Sequence, residues 1–364
     1  MALKCGIIGL PNVGKSTIFN TLTSNKADVG NYPFCTIDAN VGIVDVPDER
    51  LVKLIEIYKP AKVIPATVEF VDIAGLVKGA HKGEGLGNKF LGHIREVDAL
   101  VHIVRCFDDP DVSHLYTDID PVRDIDIVNT ELILADLESI ESRYQKIEKK
   151  ARTTRDKRGI KELDILSGLK DELNRGKICR DCKFSMEEEA ILKEYNLLTM
   201  KPVLYVANTV DNEDGSDRWI NEVEGFAAKE GSGFLLINGK LESEIKMLPA
   251  EEQSLFYREM GIKESGITRL IRAAYNLLQY ITFFTGSEKE VRAWNLIKGT
   301  EAARAAGKIH SDIERGFIRA EVMSYNDLIS LGSPKALKEK GLLHLEGKDY
   351  MIKDGDLVYF RFNV

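Results

Sequence analysis

The sequence has few of the features that define secreted, membrane-spanning or disordered proteins. Its 364 residues include only 10 prolines and five scattered cysteines, which argues for reduced thiols rather than a disulfide framework. No run of apolar residues approaches the roughly 18 that a membrane helix needs, and the apolar stretch at the start is too short for a signal peptide. We therefore expect a soluble, cytoplasmic protein with no membrane partner.

An excess of positive charge is also lacking. The chain has 50 Lys and Arg against 58 Asp and Glu, a net charge of −8. This balance argues against a protein that coats nucleic acid with its whole surface, but it leaves room for a local basic patch. Apolar residues make up 44% of the chain, as in ordinary globular proteins, and the length favours two or three domains.

The most informative segment follows the first apolar stretch, residues 3–8. It reads GLPNVGKST from Gly9 to Thr17, which is the G-x-x-x-x-G-K-S pattern of a phosphate-binding loop before a helix. In such a loop the backbone N–H groups surround the phosphates, the lysine reaches the β- and γ-phosphates, and the serine hydroxyl binds Mg²⁺. Lys15 is also predicted to be catalytic, because its ammonium neutralises phosphate charge. The predicted phosphate-binding residues are Asn12, Val13, Gly14, Lys15, Ser16 and Thr17.

Two further segments predict the remaining contacts to magnesium and to the γ-phosphate. A strand at 68–72 ends at Asp72 and opens a D-x-x-G pattern that finishes at Gly75. Asp72 is expected to hold a water bound to Mg²⁺, and the Gly75 amide to contact the γ-phosphate. Thr36, in the segment NYPFCT, is expected to complete the Mg²⁺ shell with its hydroxyl.

The glutamine that orients the attacking water in small GTPases is missing. Leu76 follows the D-x-x-G pattern instead, so either hydrolysis is slow or another group positions the water. His81 and His114 both lie in suitable loops. We favour His114 as the catalytic residue, because its acidic, proline-containing loop follows a strand whose end should face the nucleotide. Asn12 is a candidate oxygen ligand for K⁺, which would replace a missing positive charge.

The predicted base-binding segment leaves the choice between ATP and GTP open. Asn208-Thr209-Val210-Asp211 follows an apolar strand at the place where guanine-binding proteins have N-K-x-D. Asp211 has the offset of the residue that accepts hydrogen bonds from guanine. The lysine that packs along the base is replaced by Thr209. We predict that Asn208 and the backbone at Thr209 contact the base.

The middle of the chain predicts a helical arm with a basic tip. Apolar residues at 133, 137, 140, 144 and 147 form a heptad seam, a polar break covers 153–159, and leucines at 163, 166, 169 and 173 supply a return helix. Between 143 and 161, nine Lys and Arg face two acidic residues, a net charge of +7. A solvated helix face is the alternative, but a cluster of one sign favours phosphate contacts to rRNA or tRNA. The predicted nucleic-acid-binding residues are Lys149, Lys150, Arg152, Arg155, Lys157 and Arg158.

The last two features are a cysteine pair and a C-terminal module. The lone C-x-x-C from Cys179 to Cys182 lacks the second pair of ligands that zinc needs, so we interpret it as structural. Segments 280–285 and 291–296 predict a β-hairpin. A helix at 300–306 and strands near 317–322 and 357–362 complete a small α+β module, which has no catalytic spacing and is expected to bind a partner.

Taken together, these motifs resemble those of the YchF subfamily of Obg-related P-loop proteins, the Obg-like ATPases. The resemblance covers essentially the whole chain. It implies an α/β P-loop G domain with a mostly parallel sheet, an inserted α-helical coiled-coil arm and a C-terminal α+β TGS domain of ubiquitin-like build. It also implies ATP preferred over GTP, ribosome association and a missing catalytic glutamine. The chain departs from the family in its base-binding loop. Family members usually have Asn-x-x-Glu followed by Asp-Gly, whereas here Glu213-Asp214-Gly215 lies two residues further on and Asp211 stands at that offset from Asn208. The segments that carry the resemblance are GLPNVGKST, NYPFCT, FVDIAGLVKGAHKGEGLGNKFLGHIREVDA, GKIHSDIERGFIRAEV and KDGDLVYFRFNV.

We therefore predict a G domain at 1–125 and 200–278, an arm at 126–199 and a TGS domain at 279–364. The expected function is that of a Mg²⁺-dependent, ribosome-associated ATPase that hydrolyses ATP slowly and acts as a switch in translation or stress response. The ribosome or its rRNA would be bound by the basic tip and the TGS domain. Two alternatives remain: a GTPase of the same fold, and a ribosome- or RNA-binding scaffold that holds nucleotide as a structural ligand.

Overall fold

Helices and strands alternate through most of the chain in the computed structural model, which describes residues 3–24, 40–73, 86–112, 116–154, 157–210 and 216–363. The strands in these ranges are β1 Lys4–Ile8, β2 Val41–Asp45, β3 Lys62–Ile64, β4 Thr67–Asp72, β5 Ala99–Arg105, β6 Val203–Asn208, β7 Gly233–Ile237, β8 Tyr280–Gly286, β9 Glu290–Ile297, β10 Phe317–Ser324, β11 His344–Glu346 and β12 Asp356–Phe362. The helices are α1 Lys15–Thr23, α2 Glu49–Tyr58, α3 Leu86–Glu96, α4 Pro121–Thr154, α5 Lys157–Asn174, α6 Met186–Leu192, α7 Ser216–Glu230, α8 Gly239–Lys246, α9 Ala250–Glu259, α10 Gly266–Leu277, α11 Ala302–Ile309, α12 Ser311–Arg315, α13 Tyr325–Leu331 and α14 Pro334–Glu339. None of these described helices has the length and apolar character that a membrane span requires.

The chain divides into two compact units. Of the described residues, the first unit comprises those within 3–24, 40–42 and 69–270, and the second comprises those within 43–68 and 271–363. Residues 43–68 therefore group with the C-terminal part, although they lie inside the stretch that the sequence assigns to the G domain. The predicted domain boundaries themselves stay a prediction.

A mostly parallel sheet in the order β2-β4-β1-β5-β6-β7 confirms the predicted α/β class. The pairings of β1 with β4 and β5, of β5 with β6 and of β6 with β7 are all parallel. Every residue of β5 and β6 is buried, as expected of central strands covered on both faces. Because parallel strands end at one edge, the carboxyl ends of β1, β4, β5 and β6 lie at the same edge of the sheet.

The inserted arm is an antiparallel helix pair, as predicted. The long helix α4 supplies Ile133 and Ile140 to a buried apolar cluster, and α5 supplies Leu166, Leu169 and Leu173. The polar break is shorter than the predicted 153–159, because α4 continues to Thr154 and α5 begins at Lys157. The apolar seam therefore determined the pairing, whereas the polar residues near the tip did not prevent helix formation.

The second unit contains its own mixed sheet, in the order β11-β10-β12-β8-β9-β3. Strands β8 and β9 form the predicted antiparallel hairpin, β12 runs parallel to β8, and β10 pairs antiparallel with β12. Helix α11 packs its alanines into the apolar cluster on one face of this sheet. Strand β3 extends the sheet by pairing in parallel with β9, a long-range pairing that the sequence did not predict.

Candidate nucleotide site

The loop between β1 and α1 turns at two glycines that lie too close to their neighbours for any side chain. Gly9 has φ of 148°, and a Cβ atom there would lie 2.4 Å from the carbonyl oxygen of Ile103. Gly14 has φ of 93°, and its Cβ would lie 2.2 Å from the side-chain nitrogen of Asn208. The N–H of Ile18 donates to the carbonyl of Gly14 at 3.0 Å, so α1 begins directly after the loop. This is the strand, loop and helix context that a phosphate-binding loop requires.

Lys15 lies at the centre of this loop. Its Nζ atom donates to the carbonyl oxygens of Gly9 at 3.1 Å and Leu10 at 2.7 Å, and only 8% of the residue is exposed. Burial lowers the pKa of the Lys15 ammonium to about 8, and the charge of Asp72 opposes this shift in part. The loop thus holds a buried cation next to backbone amides, an arrangement that favours a bound polyanion.

The predicted magnesium ligands Ser16 and Asp72 lie at the start of the helix that follows β1 and at the end of the strand that pairs with β1. Ser16 is exposed in the first turn of α1, and Asp72 ends β4. The Oδ1 atom of Asp72 is buried and has no hydrogen-bond partner within the part of the chain that is described. Burial raises the pKa of the Asp72 carboxyl, and the ammonium of Lys15 counteracts this shift. A buried carboxylate oxygen of this kind fits a role in holding a cation or a water bound to it.

Asn208 connects the phosphate-binding loop to the segment after β7. Its Nδ2 atom donates to the carbonyl of Val13 at 2.9 Å, and its Oδ1 atom accepts from the N–H of Gly239 at 3.0 Å. The N–H of Thr209 donates to the carbonyl of Ile237 at 2.9 Å. In the structure, therefore, Asn208 supports the loop, and the Thr209 N–H is already bonded to Ile237. Contact between these two residues and a base stays a prediction.

A cavity of about 610 Å³ opens beside the loop. Its walls bring together three parts of the sheet edge: the phosphate-binding loop, the segment after β5 and the elements after β6 and β7. The lining residues are Asn12, Gly14, Lys15, Ser16, Thr17, Phe107, Asp109, Val112, Asn208, Thr209, Val210, Lys240, Ser243, Glu244 and Met247.

The sequence predicts that the segment after β5 faces the nucleotide, but it indicates a role for none of the residues that the structure places in this wall or in the wall formed by α8. The segment after β5 contributes Phe107, Asp109 and Val112, and helix α8 contributes residues 240, 243, 244 and 247. Neither segment carries a motif. Their one available signal is position, because each follows a parallel strand at the carboxyl edge of the sheet, where ligands bind in α/β folds.

Several predicted residues lie outside the described part of the chain. These are Thr36 among the predicted magnesium ligands, Gly75 in the D-x-x-G pattern, His114 as the predicted catalytic residue, and Arg155 at the arm tip. The side chains of Lys150, Arg152 and Lys157 are likewise not described. The roles of all these residues stay predictions.

Some of the positively charged residues described near the arm tip contact acidic or aromatic side chains. Arg158 forms an ion pair with Glu194 at 2.9 Å, and Lys161 pairs with Glu187. The guanidinium of Arg143 lies 4.9 Å from the ring centre of Tyr195. Lys149 is exposed. Acidic residues that follow α5 therefore neutralise part of the positive charge that the sequence alone suggested.

The C-x-x-C segment forms a short 3₁₀ turn at the base of the arm. Cys179 is buried in the arm cluster, and burial raises the pKa of its thiol to about 12. The Cys182 N–H donates to the carbonyl of Cys179 at 3.0 Å. In the described ranges, no three His, Cys, Asp or Glu side chains are grouped to hold a metal ion. The burial of Cys179 in the arm cluster supports the structural interpretation of the pair, which stays a prediction.

Two family profiles match the chain. One, described as "50S ribosome-binding GTPase", matches residues 4–135. The other, described as "Protein of unknown function (DUF933)" and labelled as the C-terminal domain of YchF GTPases, matches residues 280–363. The first match contains the phosphate-binding loop and strands β1 to β5, and the second contains strands β8 to β12.

Curated relatives match over the entire chain. The chain is 50% identical to proteins named "Ribosome-binding ATPase YchF" from Bacillus subtilis and from Haemophilus influenzae, with 100% of both chains covered in each comparison. The corresponding protein of Escherichia coli O157:H7 is 47% identical, also over 100% of both chains.

Solved structures give the same result for the fold. The "Schizosaccharomyces pombe YchF GTPase" superposes with a TM-score of 0.88 at 35% identity, covering 99% of this chain and 97% of that one. A "GTP binding protein from Pyrococcus horikoshii" has a TM-score of 0.63 at 20% identity, with coverage of 99% and 100%. The second likeness concerns the fold alone.

Proposed function

The chain belongs to the YchF family, and from that membership we propose that it is a ribosome-associated ATPase, which binds ATP at the carboxyl edge of its parallel sheet and hydrolyses it slowly. The observation that carries the proposal is the loop around Lys15, where a buried ammonium and the amides of the first turn of α1 form a site for polyphosphate. Full-length relatives named ribosome-binding ATPases support it.

Magnesium completes this proposal, because P-loop folds generally use it. We assign its protein contacts to the hydroxyls of Ser16 and Thr36, and to Asp72 through a water. When bound, the ion neutralises charge on the β- and γ-phosphates. The Lys15 ammonium adds positive charge next to the same oxygens, and the Gly75 amide would bind the γ-phosphate. A K⁺ ion near Asn12 stays a prediction for which no described contact gives support.

Hydrolysis is expected to be slow, because Leu76 cannot hydrogen-bond to a water. His114 is the proposed alternative, since its segment follows directly after Val112 in the wall of the cavity. The variant His114→Ala should reduce turnover at saturating ATP with little change in nucleotide affinity. Unchanged turnover would remove His114 from the mechanism.

We further propose that the site prefers ATP over GTP. This preference is supported by Thr209 in place of the lysine that packs on guanine, and by the names of the bacterial relatives. The second candidate is a GTPase of the same fold. Asp211 at the guanine-binding offset favours it, and the fission yeast relative of known structure is itself called a GTPase.

Ribosome association would use the arm tip and the C-terminal sheet, with rRNA as the expected contact of the basic residues. To test the tip, Lys149→Ala and Arg158→Ala should be combined and compared with Lys229→Ala and Lys263→Ala, two exposed cations elsewhere. The tip variant should weaken co-sedimentation with ribosomes and reduce the salt dependence of binding. Equal binding by the tip variant and the control would exclude the tip as a contact.

A scaffold that only holds nucleotide can be separated from a switch by the same assay. Co-sedimentation is measured without nucleotide, with ADP, with ATP and with a non-hydrolysable ATP analogue. A switch should bind ribosomes differently with the analogue and with ADP. Identical binding in all four states, together with no measurable ATP turnover, would favour the scaffold.

A further inference from the structure

One cavity wall is organised by a single buried arginine. Arg105 is the last residue of β5 and is 1% exposed. Its guanidinium donates to the carbonyl of Phe107 at 3.0 Å, to that of Val112 at 3.0 Å and to that of Asp109 at 3.4 Å. The three residues whose carbonyls it binds are the same three that the segment after β5 contributes to the cavity.

The shape of this segment depends on these bonds. The guanidinium carbon of Arg105 also lies 4.6 Å from the ring centre of Phe107, in cation–π contact. A short turn supports the same segment, because the N–H groups of Val112 and Asp111 donate to the carbonyl and the side chain of Asp109. A planar guanidinium reaches carbonyls in several directions at once, which a lysine ammonium on a flexible stem cannot do.

We propose that Arg105 is a positioning residue that holds the segment 107–112 as a preformed wall of the nucleotide cavity and thereby sets nucleotide affinity. This inference rests on the proposed function, because it assumes that the cavity binds nucleotide. If the wall is already ordered before the ligand binds, no binding free energy is lost to ordering it. Loss of the guanidinium should therefore weaken binding although Arg105 lies behind the wall, below the surface of the cavity.

The test uses Arg105→Lys and Arg105→Ala in the full chain, with Arg180→Lys as the matched control. Arg180 is another strongly buried arginine of the first unit, and its described bonds go to Asn129, Tyr205 and Glu230, which do not line the cavity. Circular dichroism first establishes that each variant is folded. If Arg105→Ala does not fold, the lysine variant carries the test.

Two readouts distinguish this inference from the proposed function. Hydrogen exchange of the Asp111 and Val112 amides, measured without nucleotide, should become faster in both Arg105 variants and stay unchanged in Arg180→Lys. The Kd for a fluorescent ATP analogue should rise by about tenfold to a hundredfold in the Arg105 variants, and guanidinium chloride at low concentration should restore part of the affinity of Arg105→Ala.

Either of two results would overturn the inference: amide exchange that does not change, or a Kd that stays within twofold of the wild type. If the wild-type chain itself binds no nucleotide, the proposed function fails. The exchange experiment then still decides whether Arg105 shapes the wall.

Discussion

The contact between Asn208 and the phosphate-binding loop gives the sharpest prediction. In Asn208→Ala the carbonyl of Val13 and the N–H of Gly239 both lose their bonds to this side chain. Asn208 is 5% exposed, so water replaces these bonds poorly. Each group left unsatisfied costs about 1–3 kcal/mol, which gives a loss of about 2–6 kcal/mol in the free energy of unfolding. The nucleotide affinity should fall at least about tenfold, or 1.4 kcal/mol, because the loop is no longer held in its binding shape.

Asn208→Asp tests the bond to Val13 separately from the bond to Gly239, and Asn238→Ala is the control at the start of α8. Asn208→Asp keeps an acceptor for Gly239 but places a carboxylate oxygen opposite the carbonyl of Val13. Asn238→Ala removes only the cap of α8, because the Asn238 side chain accepts from the N–H of Leu241, and should cost about 1 kcal/mol. Urea unfolding and ATP titration measure both quantities. Asn208→Asp should lose affinity and Asn238→Ala should keep it. The reasoning is refuted if Asn208→Ala and Asn208→Asp are folded and bind ATP as tightly as the wild type.

Three further predictions concern the loop and the arm. Because burial lowers the pKa of Lys15 to about 8 in the folded state, while an unfolded lysine titrates near 10.4, the unfolded chain binds more protons between these values. The free energy of unfolding of the nucleotide-free wild type, relative to that of Lys15→Met, should therefore rise between pH 8 and pH 10. Urea unfolding across this range measures it, and a difference between the two proteins that does not change with pH would contradict the prediction. Gly14→Ala should abolish ATP binding in a titration, since its Cβ would meet the Asn208 nitrogen at 2.2 Å, whereas Gly225→Ala, with nothing within 4 Å, should be neutral or stabilising. In the arm, Leu166 is 0% exposed, so Leu166→Ala should lower the free energy of unfolding by about 2–5 kcal/mol. Ile160 is 49% exposed, so Ile160→Ala should lower it by less than about 1 kcal/mol. Equal losses in the two variants would contradict the described packing.

The parts of the fold that the sequence predicted are those fixed by local steric and periodic constraints. At positions 9 and 14 the phosphate-binding loop has backbone angles and close contacts that only a glycine can adopt. The seam of α4 and α5 follows from a heptad repeat that buries Ile140 and Leu166. In both cases the residue pattern along the chain predicts the structure, because the same residues determine the local conformation and the buried face.

What the sequence could not predict depends on contacts between distant residues. Strand β3 pairs with β9 across more than two hundred positions, and no pattern in the three residues of β3 specifies that partner. The bond from Asn208 to Val13 joins residues 195 positions apart and arises only once the strands have assembled. The side chains of Lys240 and Met247 likewise enter the cavity wall because of where β7 ends, and their identities carry no motif.

The most direct test of the central proposal compares ATP and GTP on the same nucleotide-free protein in the presence of Mg²⁺. We predict that ATP binds at least tenfold more tightly, a difference of about 1.4 kcal/mol, and that it is hydrolysed slowly. Tighter binding of GTP would instead mean that Asp211 recognises guanine and that the chain is a GTPase. Binding of neither nucleotide would contradict the account of the site itself.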